Sequence, residues 1–358
     1  MQHDDDEPLD DIPFINDDGD VQFGPGSDPG SVFENPDKIS ALRTEMDRRR
    51  RENDARKTSE ATLQEKPVGF IVDRGGVQRC LVARGSVPEA GKNTDEEKRK
   101  LMYELLKPKQ LNGFRDVDHV HEWAAFIHEC SPWMAPISEY LMNEQLRRVK
   151  NRFRFVGFDP VIIHGEPGIG KTYYARTVAE NAAVPLLVMD GATMISGFQL
   201  AGVERGWGSA GASPIVRMIA ENHVANPVIM IDEIDKIGGA DQKAGNPHNV
   251  LLGLLEKISS QTWRCPYTEL AIDMSRVSWI MTANDLSRVP QPLLDRCKVI
   301  RSNKPTEDDV RTLITNNLMD ADPDVIKAAI KATKGRSLRM VRRMIEAVNA
   351  AGQKPVLH

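Results

Sequence analysis

Gly165-Glu166-Pro167-Gly168-Ile169-Gly170-Lys171-Thr172 decides the fold. The octapeptide satisfies G-x-x-x-x-G-K-[ST] at every fixed position. It lies between the apolar run Val161-Ile162-Ile163 and a helix-forming stretch from Tyr173 to Ala182, the strand–loop–helix context this pattern needs. Glycine tolerates the left-handed torsions that turn successive backbone N–H groups toward one point. Those groups and the N-terminus of the next helix form a site for phosphate oxygens. The spacing predicts that Lys171 reaches the β- and γ-phosphates of ATP and that the Thr172 hydroxyl coordinates Mg²⁺. The loop from Gly165 to Gly170, with Tyr173 after it, is expected to surround the phosphates.

Working outward, short apolar runs recur at Leu186-Leu187-Val188, Val228-Ile229-Met230-Ile231 and Trp279-Ile280-Met281, separated by helical stretches. Runs apolar on both faces suit buried parallel strands, and the alternation predicts an α/β layer architecture with a parallel sheet flanked by helices. The run at Val228 ends in Asp232-Glu233-Ile234-Asp235. Adjacent acids at the end of a buried strand are costly unless a cation or a reaction stands behind them. Asp232 is therefore expected to hold Mg²⁺, directly or through water, and Glu233 to orient the water that attacks the γ-phosphate. After Thr306 the strand signal stops and three helices are expected. Thr306 can cap the first, Asp322-Pro323 starts the second, and Ser337 starts the third.

Composition narrows the class. The chain has 358 residues, 28% charged and 40% hydrophobic, enough for a sizeable core and about two domains. No apolar run approaches the ~18 residues of a membrane helix, and the acidic start is unlike a secretory signal, so a cytoplasmic protein with no membrane partner is expected. The net charge of −5 is concentrated at the start, where residues 1–20 hold nine acids and no Lys or Arg. The near-neutral body does not suit a dedicated nucleic-acid binder. Four scattered cysteines without a C-x-x-C pair argue against a disulfide framework and suit a reducing compartment.

Residues 1–36 read as a disordered acidic tail. Residues 37–66, with Arg48-Arg49-Arg50-Arg51, read as a charged helix or linker, with a basic helix touching a partner or nucleic acid as the other reading. Residues 67–134 are expected to form a small region of a hairpin, around Gly75-Gly76, plus helices. An α/β domain over 135–304 and a helical domain over 305–358 complete the expected organisation.

Several stretches together resemble AAA+ ATPases, most of all the ATPase module of Lon proteases. They are Ile137-Ser138-Glu139-Tyr140-Leu141, Asp232-Glu233-Ile234-Asp235-Lys236, Met281-Thr282-Ala283-Asn284, Val289-Pro290-Gln291-Pro292-Leu293-Leu294-Asp295-Arg296 and Gly335-Arg336-Ser337-Leu338-Arg339. The resemblance covers about residues 135–350 and implies an AAA+ P-loop NTPase fold with a small helical lid. It implies that Asn284 is sensor 1, placing the lytic water, where the bland reading is a turn-forming Asn. It implies that Arg296 is an arginine finger acting on a neighbouring subunit, where the bland reading is a salt bridge to Asp295 or another acid. Arg339 from the lid is the expected sensor 2, with Arg336, Arg342 and Arg343 as alternatives. Trp207 falls where such ATPases carry a substrate-gripping pore loop; structural packing is its other reading.

A finger working in trans needs a head-to-tail homo-oligomer, by analogy a hexameric ring. The peptidase and substrate-recognition domains of Lon and its adenine-packing motif are not recognised in this sequence. The expected activity is Mg²⁺-dependent ATP hydrolysis that remodels or translocates a protein client without cleaving it. Action on nucleic acid or on its loading, and a nucleotide-switched scaffold, are the alternatives.

Overall fold

A computed structural model describes residues 14–15, 21–22, 70–72, 77–88, 95–204, 210–238, 245–318 and 321–352. The chain divides into two units, Met1–Lys66 and Pro67–His358. In the first, Phe14–Ile15 and Val21–Gln22 pair antiparallel. The rest of the expected acidic tail and charged linker, including Arg48–Arg51, lies outside the described residues.

The second unit is built on five parallel strands: β1 (Val161–His164), β2 (Leu186–Asp190), β3 (Val228–Asp232), β4 (Ser278–Ala283) and β5 (Lys298–Arg301). Their order is β5-β1-β4-β3-β2. The phosphate-loop strand is thus interior, second from one edge, with β4 on one side and the edge strand β5 on the other. β5 has no counterpart in the sequence reading, because Lys298-Val299-Ile300-Arg301 offers only two apolar residues. Parallel pairing to β1 supplies what propensity does not, with Val299 opposite Ile162 and Ile300 opposite Ile163.

Alternation along the strands divides the core into two layers. Ile162, Ile229, Ile231, Trp279 and Met281 face one side, where they join Met102, Leu105, Ile215, Ile219 and Leu251. Val161, Ile163, Val228, Met230 and Ile280 face the other, with Trp123, Ile127, Ile137, Tyr174 and Val178. Both faces are covered, which is why the strands read as unbroken apolar runs. Each of these fully buried aliphatic side chains contributes about 1.5–3 kcal/mol.

The first layer is supplied by helices α1 (Glu96–Leu106), α5 (Pro214–Glu221) and α6 (Pro247–Leu255). The second comes from α2 (Val117–Cys130), α3 (Ala135–Lys150) and α4 (Lys171–Asn181). Phe70–Val72 pairs antiparallel with Gln78–Cys80, and Gly75-Gly76 between them lies outside the described residues. Lys109–Leu111 adds a third antiparallel strand, pairing with Gln78–Cys80. Its Lys109 ammonium donates to the carbonyls of Ala220 (2.6 Å) and Asn222 (2.9 Å), a burial that local propensity does not register.

Three helices close the chain: α7 (Glu307–Asn317), α8 (Pro323–Thr333) and α9 (Leu338–Gly352). Thr306 caps α7 in a reciprocal box with Asp309, and Asp322 caps α8 ahead of Pro323. Leu313, Ile314, Leu338 and Val341 join the second core layer. Among the described residues no helix is long and apolar enough to cross a membrane.

Candidate functional site

Parallel strands all end at the same edge of a sheet, so the loops after β1, β3 and β4 are neighbours although far apart in sequence. That edge assembles the site. The loop after β1 runs from Gly165 to Gly170 and leads directly into α4. Gly168 (φ 80°) and Gly170 (φ 86°) take left-handed torsions that a side chain would strain. At Gly165 the constraint is contact: a Cβ there would sit 2.0 Å from Ser302 Oγ and 2.9 Å from Ile169 Cδ1. Glu166 is exposed and paired with Lys304 at 2.6 Å, and Pro167 is exposed beside it.

Lys171 opens α4 and is buried. Its Nζ donates to the carbonyls of Gly165 (2.7 Å) and Glu166 (3.0 Å) and to Asn284 Oδ1 (2.7 Å). Burial pulls its ammonium below the ordinary value, against the opposing pull of Asp232, Asp235 and Glu233. Such a cation is held next to the loop by neutral oxygens and surrounded by carboxylates at longer range, and it offers its charge to an incoming anion.

Thr172 donates from Oγ1 to Asp232 Oδ2 at 2.7 Å. Thr282, fully buried in β4, donates its hydroxyl to the other oxygen, Asp232 Oδ1, and accepts from the Glu233 N–H at 2.9 Å. Glu233 stands in the left-handed region (φ 54°, ψ 51°), a strained setting for a residue with a side chain. Behind it, Asp235 accepts from the N–H groups of Asn284 (3.3 Å) and Asp285 (3.1 Å), tying the loop after β3 to the loop after β4. The structure therefore brings Lys171, Thr172, Asp232, Glu233 and Asn284 together.

The other expected residues are placed as follows. Arg296 is exposed, and its Nη1 donates to the Pro292 carbonyl at 3.1 Å. Arg336, Arg339 and Arg343 are exposed, whereas Arg342 lies 3.0 Å from the ring centroid of Tyr173, the residue after Thr172. Burial holds the Arg342 guanidinium below its ordinary value. The start of α9 also reaches the loop, since a Cβ on Gly168 would meet Ser337 Cβ at 3.7 Å and one on Gly170 would meet Leu338 Cδ1 at 3.8 Å. Trp207 lies outside the described residues, between strands Gly202–Val203 and Gly211–Ala212, which pair antiparallel.

Two contributors escaped the sequence reading. Thr282 carried a signal, a hydroxyl in an otherwise apolar buried strand. Trp133 carried none beyond its bulk. It is buried, and its indole N–H donates to the Ile169 carbonyl at 2.8 Å, bracing the phosphate loop from outside.

Residues 161–304 match the family described as "ATPase family associated with various cellular activities (AAA)". The Lon protease of Magnetococcus marinus is 36% identical over 146 residues, 41% of this chain and 18% of that protein. The mitochondrial Lon protease homolog of Caenorhabditis briggsae is 30% identical over 239 residues, 60% of this chain and 24% of that one. This chain thus spans a quarter or less of the length of these relatives. Among solved structures, a closed-state cryo-EM reconstruction of Hsp104 with ATPγS and FITC casein is 14% identical with a TM-score of 0.50, covering 72% of this chain and 48% of that one. That likeness concerns the fold.

Proposed function

We propose that this chain, whose residues 161–304 form an AAA-type ATPase domain related to that of Lon proteases, hydrolyses ATP with Mg²⁺ and uses the cycle to remodel or translocate a protein client. The observation that carries this reading is the convergence of Lys171, Thr172, Asp232 and Asn284 through direct hydrogen bonds at one sheet edge. A loop that merely turned a corner needs neither a buried ammonium nor a paired hydroxyl and carboxylate.

In this reading the N–H groups of the loop and Lys171 bind the phosphates. Thr172 and Asp232, a hydroxyl–carboxylate pair that suits a hard cation, would hold Mg²⁺, and the ion would supply charge neutralisation at the transferring phosphoryl group. Glu233 accepts the proton of the attacking water, and Asn284 orients that water as an uncharged partner. Arg339 senses the nucleotide from the helical lid.

Arg296, exposed and free to face another molecule, reaches the phosphate of a neighbouring copy, which requires a head-to-tail ring. Trp207 grips the client. The four unbridged cysteines suit a cytoplasmic setting. The decisive experiment is phosphate release with and without Mg²⁺, alongside Glu233→Gln. That variant is expected to bind ATP and turn it over at least 10²-fold more slowly. Held in ATP, it should retain its client in a pull-down. Undiminished turnover in Glu233→Gln rejects the assignment of the base, and no Mg²⁺-dependent phosphate release from the wild type rejects the function.

A further inference from the structure

Trp133 sits in the one-turn helix Pro132–Met134 that joins α2 to α3, two helices of the second core layer. It is 2% exposed. Its indole N–H donates to the Ile169 carbonyl at 2.8 Å, and its own carbonyl accepts from the Asn303 N–H at 3.0 Å. A Cβ on Gly170 would lie 4.0 Å from the indole Cζ2. The ring is therefore rooted in the core and lies along the outside of the phosphate loop, against its last two residues before Lys171.

The contact falls on a peptide that the loop itself does not orient. On one side, Ile169 is held by its buried side chain in the second core layer. On the other, the Gly170 carbonyl accepts from the Tyr174 N–H at 2.9 Å and so begins α4. Between these fixed points the Ile169–Gly170 plane is free to rotate, because its glycine end accepts torsions of either hand. A trans peptide carries its C=O and N–H on opposite sides. Pinning the Ile169 carbonyl to Trp133 thus turns the Gly170 N–H away from the indole. Half a turn of the same plane would put a carbonyl oxygen there instead, the wrong end of the dipole for an anion.

We infer that Trp133 is a positioning residue that aims the Gly170 N–H at a nucleotide phosphate. The inference rests on the reading of residues 165–172 as the phosphate site. The glycines that let the loop wrap an anion leave this peptide without a preferred face, and the indole selects the face from 36 residues away. One misdirected donor to a charged oxygen corresponds to about 10-fold in affinity.

Trp133→Phe keeps an aromatic ring and removes the donor. It is expected to raise KM for ATP and Kd for ADP each about 10-fold, with kcat at saturating ATP falling by a smaller factor. Trp123→Phe is the matched comparison. Its indole N–H also donates to a buried backbone carbonyl, that of Val178 at 3.3 Å, later in α4 and away from the loop. That variant should lose stability to a similar degree and keep both constants of the wild type. Unaltered KM and Kd in a folded Trp133→Phe protein overturn the inference, as does an equal rise in Trp123→Phe. The wild type supplies a test that needs no variant to fold. An anion on the Gly170 N–H polarises the peptide and strengthens its carbonyl as an acceptor, so saturating ADP should move the Trp133 indole proton resonance downfield. A resonance that stays in place with ADP bound overturns the inference too. A wild type that binds no ADP instead refutes the nucleotide reading beneath it.

Discussion

Replacing Thr282 by Val tests how the acidic strand end is held. The two side chains have nearly the same shape, and Thr282 is fully buried, so packing is kept while the hydroxyl is lost. That hydroxyl has two partners, the Asp232 Oδ1 it donates to and the Glu233 N–H it accepts from at 2.9 Å. Removing it leaves both groups unsatisfied beside a buried methyl. A buried orphan costs about 1–3 kcal/mol, and the hydrogen bond to a charged oxygen is at the upper part of that range. Asp232 is only half-buried and keeps its bond from Thr172 at 2.7 Å, so water recovers part of its loss. A destabilisation of about 2 kcal/mol is expected, which for a domain of this size lowers Tm by roughly 4–8 °C. Thr282→Ser makes the opposite change, keeping the hydroxyl and losing one methyl, at about 1 kcal/mol. Urea unfolding of the three proteins supplies the comparison. The reasoning is refuted if Thr282→Val matches the wild type within about 0.5 kcal/mol or proves more stable than Thr282→Ser. Phosphate release should fall further than stability in Thr282→Val, because the same hydroxyl fixes the peptide of Glu233.

Three other perturbations probe separate features. Gly165→Ala should cost about 1–3 kcal/mol by overpacking against Ser302, and Ser302→Ala should recover at least half of that loss; additive effects in the double variant would show that the clash is elsewhere. Arg296→Ala and Lys171→Ala proteins are each expected to be inactive alone and to regain phosphate release when mixed, and full activity of Arg296→Ala alone would remove the shared-site model. Partial burial holds the His248 imidazole below its ordinary value. Its neutral form is favoured in the folded state and the unfolded chain binds more protons as pH falls through about 6.5, so stability should decline on acidification from pH 7. The contribution is at most about 1.4 kcal/mol per pH unit, and a His248→Gln protein whose urea midpoint shows the same acid slope would exclude it.

The amino-acid sequence by itself determined the local chemistry. Glycines at 168 and 170, a Lys-Thr pair at the start of a helix, and acids at the end of an apolar strand depend on torsional freedom and burial cost, which act within a few residues. The capping signals at Thr306 and Asp322 are local for the same reason, and both caps form as expected. What the tertiary structure decided is which distant groups share an edge. The order β5-β1-β4-β3-β2 places Asn284 against Lys171, 113 residues away, and Thr282 beneath Asp232. No period or spacing encodes that order. Likewise, the weakly apolar β5 exists because β1 offers it a full row of partners. The four candidate lid arginines are equivalent as residues. Only the placement of α9, which packs against α7 and α8, sets Arg342 over Tyr173 and leaves Arg336, Arg339 and Arg343 in solvent. Backbone preferences are short-ranged, whereas the choice among like charges is made by which helix face the core buries.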